Sequence, residues 1–225
     1  MTTIDAARPL RKDAARNRQL LIDAARAVFA ERGLDATLDD VAHRAGLGVG
    51  TAYRHFANKY ELAGAIFQQA VDEIVELAEA SLQVADAWEG LVSFLERTLE
   101  AQTVNRGLRE VLMGVHDAEQ DHQIHERLGT LITALVERAQ RGGSVRPDAN
   151  ATDIGMVITM LCVVADIAGD ADPDLWRRYL PILLAGLSPN GPALPVAALT
   201  DEAMREAMTS HKQRLARIGG QAERH

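Results

Sequence analysis

Apolar positions recur with helical spacing along nearly the whole chain. Between Asn17 and Arg32, Leu21, Ala25, Val28 and Phe29 share one face, and Gly33 stops the run. Leu38, Val41, Ala42 and Ala45 form a second, shorter stripe, while Asp39, Asp40, His43 and Arg44 face outward. Thr37, three residues before Asp40, supplies an approximate capping box for that helix. Gly46 is placed to end it in the left-handed conformation, with Leu47 tucked into the core. Another short helix is predicted over Gly48 to His55. Its Val49, Ala52, Tyr53 and Phe56 point toward the core, and Gly50, Thr51, Arg54 and His55 lie on or near its outer side. Asn58 caps the next helix, with Glu61 at the matching third position.

Longer helices follow. One runs from Asn58 to about Ser81, carrying Leu62, Ile66, Ala70, Ile74 and Leu77, and is long enough to belong to both a head and a body. Asp86 caps one from Trp88 to about Thr103, a short one spans Arg106 to about Gly114, and a long one spans Glu119 to Arg141. After the loop RGGSVRPDAN come helices over Ala151–Ala168 and Asp174–Leu187. SPNGPALPVAAL interrupts the pattern, and Asp201 to Ile218 is read as a polar last helix. No segment alternates with period two and no repeat is visible, so the expected fold is all-α. The expected parts are an arm over 1–16, a helix-turn-helix head over 17–62, a helical body over 63–190 and an extension over 191–225.

Two short helices around a tight glycine turn are the layout with which a helix-turn-helix enters a DNA major groove. The net charge of -8 argues against nucleic acid only until it is divided. Residues 1–60 carry 10 Lys and Arg against 7 Asp and Glu, a balance of +3, and the remainder carries 14 against 25. The acidity therefore lies outside the motif. Arg8, Arg11, Lys12, Arg16 and Arg18 concentrate positive charge before the first helix, as either a loose arm for an adjacent minor groove or simply a solvated terminus. A single cysteine, Cys162, excludes an internal disulfide framework. The start MTTIDAARPLRKDAARN has no apolar signal core, and no window of some 18 uncharged apolar residues occurs; the expectation is a cytoplasmic protein without a membrane partner.

The run AGLGVGTAYRHFANKYEL resembles the recognition helix and flank of TetR/AcrR-family regulators. Their pattern is close to A-G-V-S-x-G-T-x-Y-x-x-F-x-x-K-x-x-L, and Ala45, Gly46, Gly50, Thr51, Tyr53, Phe56, Lys59 and Leu62 match it. The likeness reaches back through FAERGLDATLDDVA and covers roughly residues 17–65. It implies a homodimeric regulator, a repressor in the commonest case, that binds palindromic double-stranded operator DNA and is released by a small-molecule effector. By this likeness Thr37, Tyr53, His55 and Lys59 hold phosphates, Thr51 and Arg54 approach base edges, and Gly48, Val49 and Gly50 complete the interface. Gly48 stands where the family usually has a capping serine.

Helices 151–168 and 174–187 are apolar nearly all round, which means deep burial or sharing with a partner. The resemblance favours sharing, since the last two body helices of such proteins pair in a four-helix dimer interface. Ile154, Val157, Leu161, Val164, Trp176, Leu180, Leu183 and Leu184 are the expected interface residues. WEGLVSFLERTLEAQTVNRGLREVL resembles the start of a ligand domain, and Trp88, Met113, His116 and Met160 are the candidate effector contacts. Asp166, a carboxylate in an apolar helix, requires a partner if buried. His116, His122 and His125 lie among Asp117, Glu119, Asp121 and Glu126, a spacing compatible with a transition metal but more often found in an exposed polar helix start, so no metal or cofactor is expected. No phosphate loop, paired cysteines, nucleophile elbow or HExxH occurs, so no enzyme is expected.

Overall fold

In a computed structural model of the chain, residues 7–104 and 118–200 are described, with positions 202–204, 206, 207 and 210 beyond them. The helices are α1 (Ala7–Arg32), α2 (Leu38–Arg44), α3 (Val49–His55), α4 (Lys59–Leu82), α5 (Ala87–Val104), α6 (Ala118–Arg141), α7 (Ala151–Ala168) and α8 (Trp176–Gly186). No strand occurs among the described residues, and the fold is the expected all-α one. The predicted helix at 106–114 and most of the one predicted at 201–218 lie outside the described residues.

The chain forms two compact units that divide within α4, after Val71. The first, or head, is built on one buried cluster. Leu21, Ile22, Ala25, Val28 and Phe29 of α1 meet Leu38, Val41 and Ala42 of α2, Ala52 of α3, Phe56, and Leu62, Ala63 and Ile66 of α4. Small buried alanines, among them Ala25, Ala42, Ala52 and Ala63, leave room for these helices to pack together. One expectation is corrected here. α1 begins at Ala7, so residues 7–16 are helical rather than a loose arm, with Lys12, Arg16 and Arg18 on its exposed surface.

The second unit, or body, has its own cluster. Leu91, Phe94, Leu95 and Leu99 of α5 pack with Leu135, Val136 and Ala139 of α6, Ile154, Val157 and Leu161 of α7, and Trp176, Leu180 and Leu184 of α8. Caps set the helix starts. The Asp86 carboxylate accepts from the Glu89 amide at 2.9 Å, and Asn150 forms a full capping box with Asp153 at the head of α7. The end of α4 is closed from a distance: the Arg138 guanidinium of α6 donates to the carbonyls of Leu82 (3.1 Å), Val84 and Ala85 (2.9 Å). A cation there offsets the negative end of the helix dipole. Gly90 permits this crossing, because a Cβ at that position would lie 2.6 Å from the Ser81 carbonyl oxygen. α8 tolerates Pro181 at mid-helix at the cost of one backbone hydrogen bond.

Candidate nucleic-acid interface

α2 begins on a reciprocal cap. The Asp40 amide donates to the Thr37 hydroxyl oxygen at 3.1 Å, and the Thr37 amide and hydroxyl donate to the Asp40 carboxylate at 2.9 and 2.7 Å. The hydroxyl's hydrogen bond, more than the nearby Arg32, holds the Asp40 carboxyl below its ordinary range. α2 ends as its sequence requires. Gly46 adopts φ +67°, its amide donates to the His43 carbonyl at 3.1 Å, and the Leu47 amide reaches the Ala42 carbonyl at 3.0 Å. This closure turns the chain sharply into α3.

α3 is seven residues, roughly 10 Å of helix, a length that lies across a major groove. Ala52 is fully buried, and Phe56, just past the end of the helix, is 2% exposed; together they fix which side faces the core. Gly50 and Arg54 lie on the exposed side, and Thr51 and His55 are half-buried at its edges. Val49 is half-buried against the head core, which turns its side chain away from the groove-facing surface. The expected inward position of Tyr53 is corrected: it is 52% exposed. Its neighbour is Asp39 of α2, whose negative charge, with some desolvation and a hydrogen bond, raises the phenol above its ordinary value. Tyr53 therefore stays a neutral hydrogen-bond donor at the surface, tied across the turn. Sequence reasoning named Tyr53 and missed Asp39, because the contact crosses between helices and has no fixed spacing.

Gly48 caps α3 with extended backbone (φ -66°, ψ 140°) and no side-chain hydrogen bond. Asn58 caps α4, its Oδ1 accepting from the amides of Tyr60 (2.9 Å) and Glu61 (3.0 Å). The Glu61 carboxylate accepts from Ala57 at 2.6 Å, one residue earlier than the expected box. These bonds fix the first residue of α4, Lys59, whose ammonium lies 5.5 Å from the Tyr60 ring centre. On the α1 side, the Arg18 guanidinium covers the Phe56 ring at 5.2 Å, putting positive charge beside the end of α3. The resulting surface has cationic side chains, Arg18, Arg54 and Lys59, around α3, which suits a helix-turn-helix that docks on phosphates and inserts side chains between them.

Two of the four body residues expected to contact an effector are described. Trp88 is half-buried against the body core, Met160 is 43% exposed, and Met113 and His116 lie outside the described residues. A cavity of about 340 Å³ is lined by Thr133, Val136, Glu137, Gln140, Ala149, Asn150, Ala151 and Thr200, and contains neither Trp88 nor Met160. Asp166 is exposed, so it carries no burial cost. Of the histidines weighed for a metal, none has a side chain among the described ones.

The expected dimer residues require a larger correction. Ile154, Val157, Leu161, Trp176, Leu180 and Leu184 are all 9% exposed or less, inside the core of a single chain. Val164 and Leu183 are partly buried against the same cluster. The apolar side chains that α7 and α8 leave outside are Met156, Met160, Val163, Ile167, Tyr179 and Ile182, with Ile167 at 79% exposure. On α7 these lie about half a turn from the buried set. A helix apolar on both sides gives no indication in its sequence of which side is which.

Comparisons with known proteins agree with this geometry. Residues 21–66 match the family described as bacterial regulatory proteins, tetR family, and residues 86–189 match the SbtR-like transcriptional regulator C-terminal domain. The uncharacterized HTH-type transcriptional regulator TtgW of Pseudomonas putida is 36% identical over 87 residues, 38% of this chain and 65% of that protein. The match thus spans less than two thirds of that relative's length. Among solved structures, the TetR transcription regulatory protein from Mycobacterium vanbaalenii is 31% identical, with a TM-score of 0.58 over 80% of this chain and 99% of the other. The TetR regulator SCO0520 from Streptomyces coelicolor is 27% identical, with a TM-score of 0.61 over 77% and 99%. The protein is a DNA-binding transcriptional regulator with a helix-turn-helix head. It belongs to the TetR family.

Proposed function

We propose that this regulator is a repressor that binds a palindromic operator as a homodimer and leaves it when a small molecule occupies the body. The observation that carries the reading is the two-sided α3, whose Ala52 side is sealed in the head core while Tyr53 and Arg54 stand exposed beside it. Thr37, Tyr53, His55 and Lys59 are assigned to phosphates, and Thr51 and Arg54 to base edges. The outward apolar residues of α7 and α8 are assigned to the partner subunit, replacing the buried set expected from sequence. Effector response draws support from Thr98 of α5, whose hydroxyl is buried with no hydrogen-bond partner among the described residues; a buried polar group left open is a place for a ligand's polar atom. The working compartment is the cytoplasm. α7 is long and apolar enough to cross a membrane, with a mean hydropathy of 1.8, but Ile154, Leu161 and Cys162 seat it in the body core.

Selection from a random double-stranded DNA library tests the reading, and a symmetric enriched sequence is expected. Affinity for it should fall steeply with salt, and Lys59→Ala should lower that slope by about one unit. Arg54→Ala should instead relax sequence preference, at about 1–3 kcal/mol if the contact is bidentate. A ligand that binds the body should weaken operator binding, and operator should weaken ligand binding by the same factor. Failure to enrich any sequence would overturn operator recognition, and a ligand bound equally well with and without DNA would remove the effector step.

A further inference from the structure

Beyond α8 the chain runs through residues 188–200 without regular structure, past the end of the match at residue 189, yet it is pinned along its length. The Arg146 guanidinium, itself buried, is held by Asp148 and donates to the carbonyls of Gly186 and Pro192. The other oxygen of Asp148 accepts from the Leu194 amide at 3.0 Å. Asn150 and the Thr152 hydroxyl both donate to the Leu199 carbonyl, at 3.3 and 3.1 Å. Pro189, Pro192 and Pro195 restrict the same stretch before any contact is made. All of this ordering leaves Leu194, Val196 and Leu199 outward, at 44%, 77% and 45% exposure.

We infer that this strap is part of the dimer interface, presenting Leu194, Val196 and Leu199 to a second copy of the chain. The inference rests on the assignment of the outward α7–α8 face to the partner. Continuity carries it. Thr152, which holds Leu199, lies one helical turn before Met156, and 152, 156, 160, 163 and 167 form a single stripe along α7. The strap thus reaches α7 at Leu199, beside the N-terminal end of the exposed apolar stripe. Extent points the same way. α7 and α8 comprise 18 and 11 residues, and one face is about half of each, whereas a stable interface uses about 20–30 residues a side. The strap supplies the missing part, and pinning three large apolar side chains outward is otherwise an unexplained cost in exposed surface.

The test is sedimentation of the full-length chain over a concentration series. Val196→Glu and Leu194→Glu should each weaken dimerisation by about tenfold or more, a change of about 1.4 kcal/mol, with helical content unchanged. Ile167→Glu, at the opposite end of the outward face of α7 from Thr152, probes the underlying assignment separately. If Ile167→Glu dissociates the dimer and the strap variants do not, the strap inference is wrong and the α7–α8 assignment stands. If neither does, or if the native chain is monomeric throughout, both fall. A polarity-sensitive dye on Val196→Cys gives a second readout, because the native Cys162 is buried and resists labelling. Its emission should shift to the red on dilution from dimer to monomer, and an unchanged spectrum would overturn the inference even if the glutamate variants misfold.

Discussion

α3 in the head and α7 in the body each bury one side and expose the other, but they expose opposite things. α3 shows Tyr53 and Arg54 to solvent, and α7 shows Met156, Met160, Val163 and Ile167. Polar side chains with donors suit a hydrated, anionic partner such as DNA, whose phosphates set position and whose base edges set choice. An exposed apolar stripe suits a partner with a matching stripe, because its stabilisation comes from removing area from water. The two cores follow one rule, apolar side chains at helical spacing, and so they report fold. The exposed faces differ, and they carry the functional information.

The largest expected effects test whether the two cores are separate. Phe56→Ala in the head and Trp176→Ala in the body each remove a nearly fully buried aromatic side chain, at 2% and 1% exposure. Each should cost about 3–5 kcal/mol. Residue-resolved hydrogen exchange should show Phe56→Ala lowering protection in α1–α3, and Trp176→Ala lowering it in α5–α8. Loss of protection spread evenly over both regions by either variant would break the distinction between two cores.

The same contrast explains what could be read from the sequence. Head positions are specified by residue type: Thr37 must cap, Gly46 must take positive φ, and Phe56 must fill the gap below α3. Such requirements leave marks at fixed spacing, so α2, the turn and α3 were legible to within one residue. Body positions are specified only as apolar, and the period of α7 and α8 gave their extents but not their phase. That is why Leu161 and Trp176 were expected at an interface and are found in the core. Residues 7–16 escaped the pattern for another reason: Leu10 is their only large apolar side chain, so they show no stripe, although alanine and arginine are good helix formers. Long-range polar ties such as Arg138 to the end of α4, or Arg146 to Pro192, join residues 46 or more apart in the chain and have no local signature.

A smaller effect distinguishes the body by its response to acid. Asp148 is held well below the usual carboxylate range, first by the Arg146 guanidinium and next by the Leu194 amide. A carboxyl depressed in the folded state stabilises the fold above its unfolded value of about 3.9, and that contribution is lost as pH falls toward the folded value. Asp148→Asn should therefore destabilise the chain at neutral pH, and its difference from the native protein should shrink on acidification below about pH 4. Amides of the strap and of the α6–α7 loop should lose protection first, with the head unaffected. A constant difference between pH 7 and pH 2 would show that the ion pair is not what holds the strap.

The smallest effect concerns Gly48, which stands where the family's pattern has a capping serine. Gly48 caps α3 without a side-chain bond, and a Cβ there would have its nearest neighbour, the Thr51 hydroxyl oxygen, at 3.9 Å. Its backbone is already in the extended region that a capping serine adopts, so Gly48→Ser requires no rearrangement. The new hydroxyl would accept from the amide of Gly50 or Thr51 and should raise stability by a few tenths of a kcal/mol, the usual gap between glycine and serine at this position. Chemical denaturation resolves such a change only as a small shift in midpoint, so exchange of the first amides of α3 is the sharper measurement. Those amides should slow while the body's stay fixed. If they do not slow, the first turn of α3 is set by its contacts through Val49 and Ala52 rather than by its cap, and the head would then resemble the body in being fixed by packing alone.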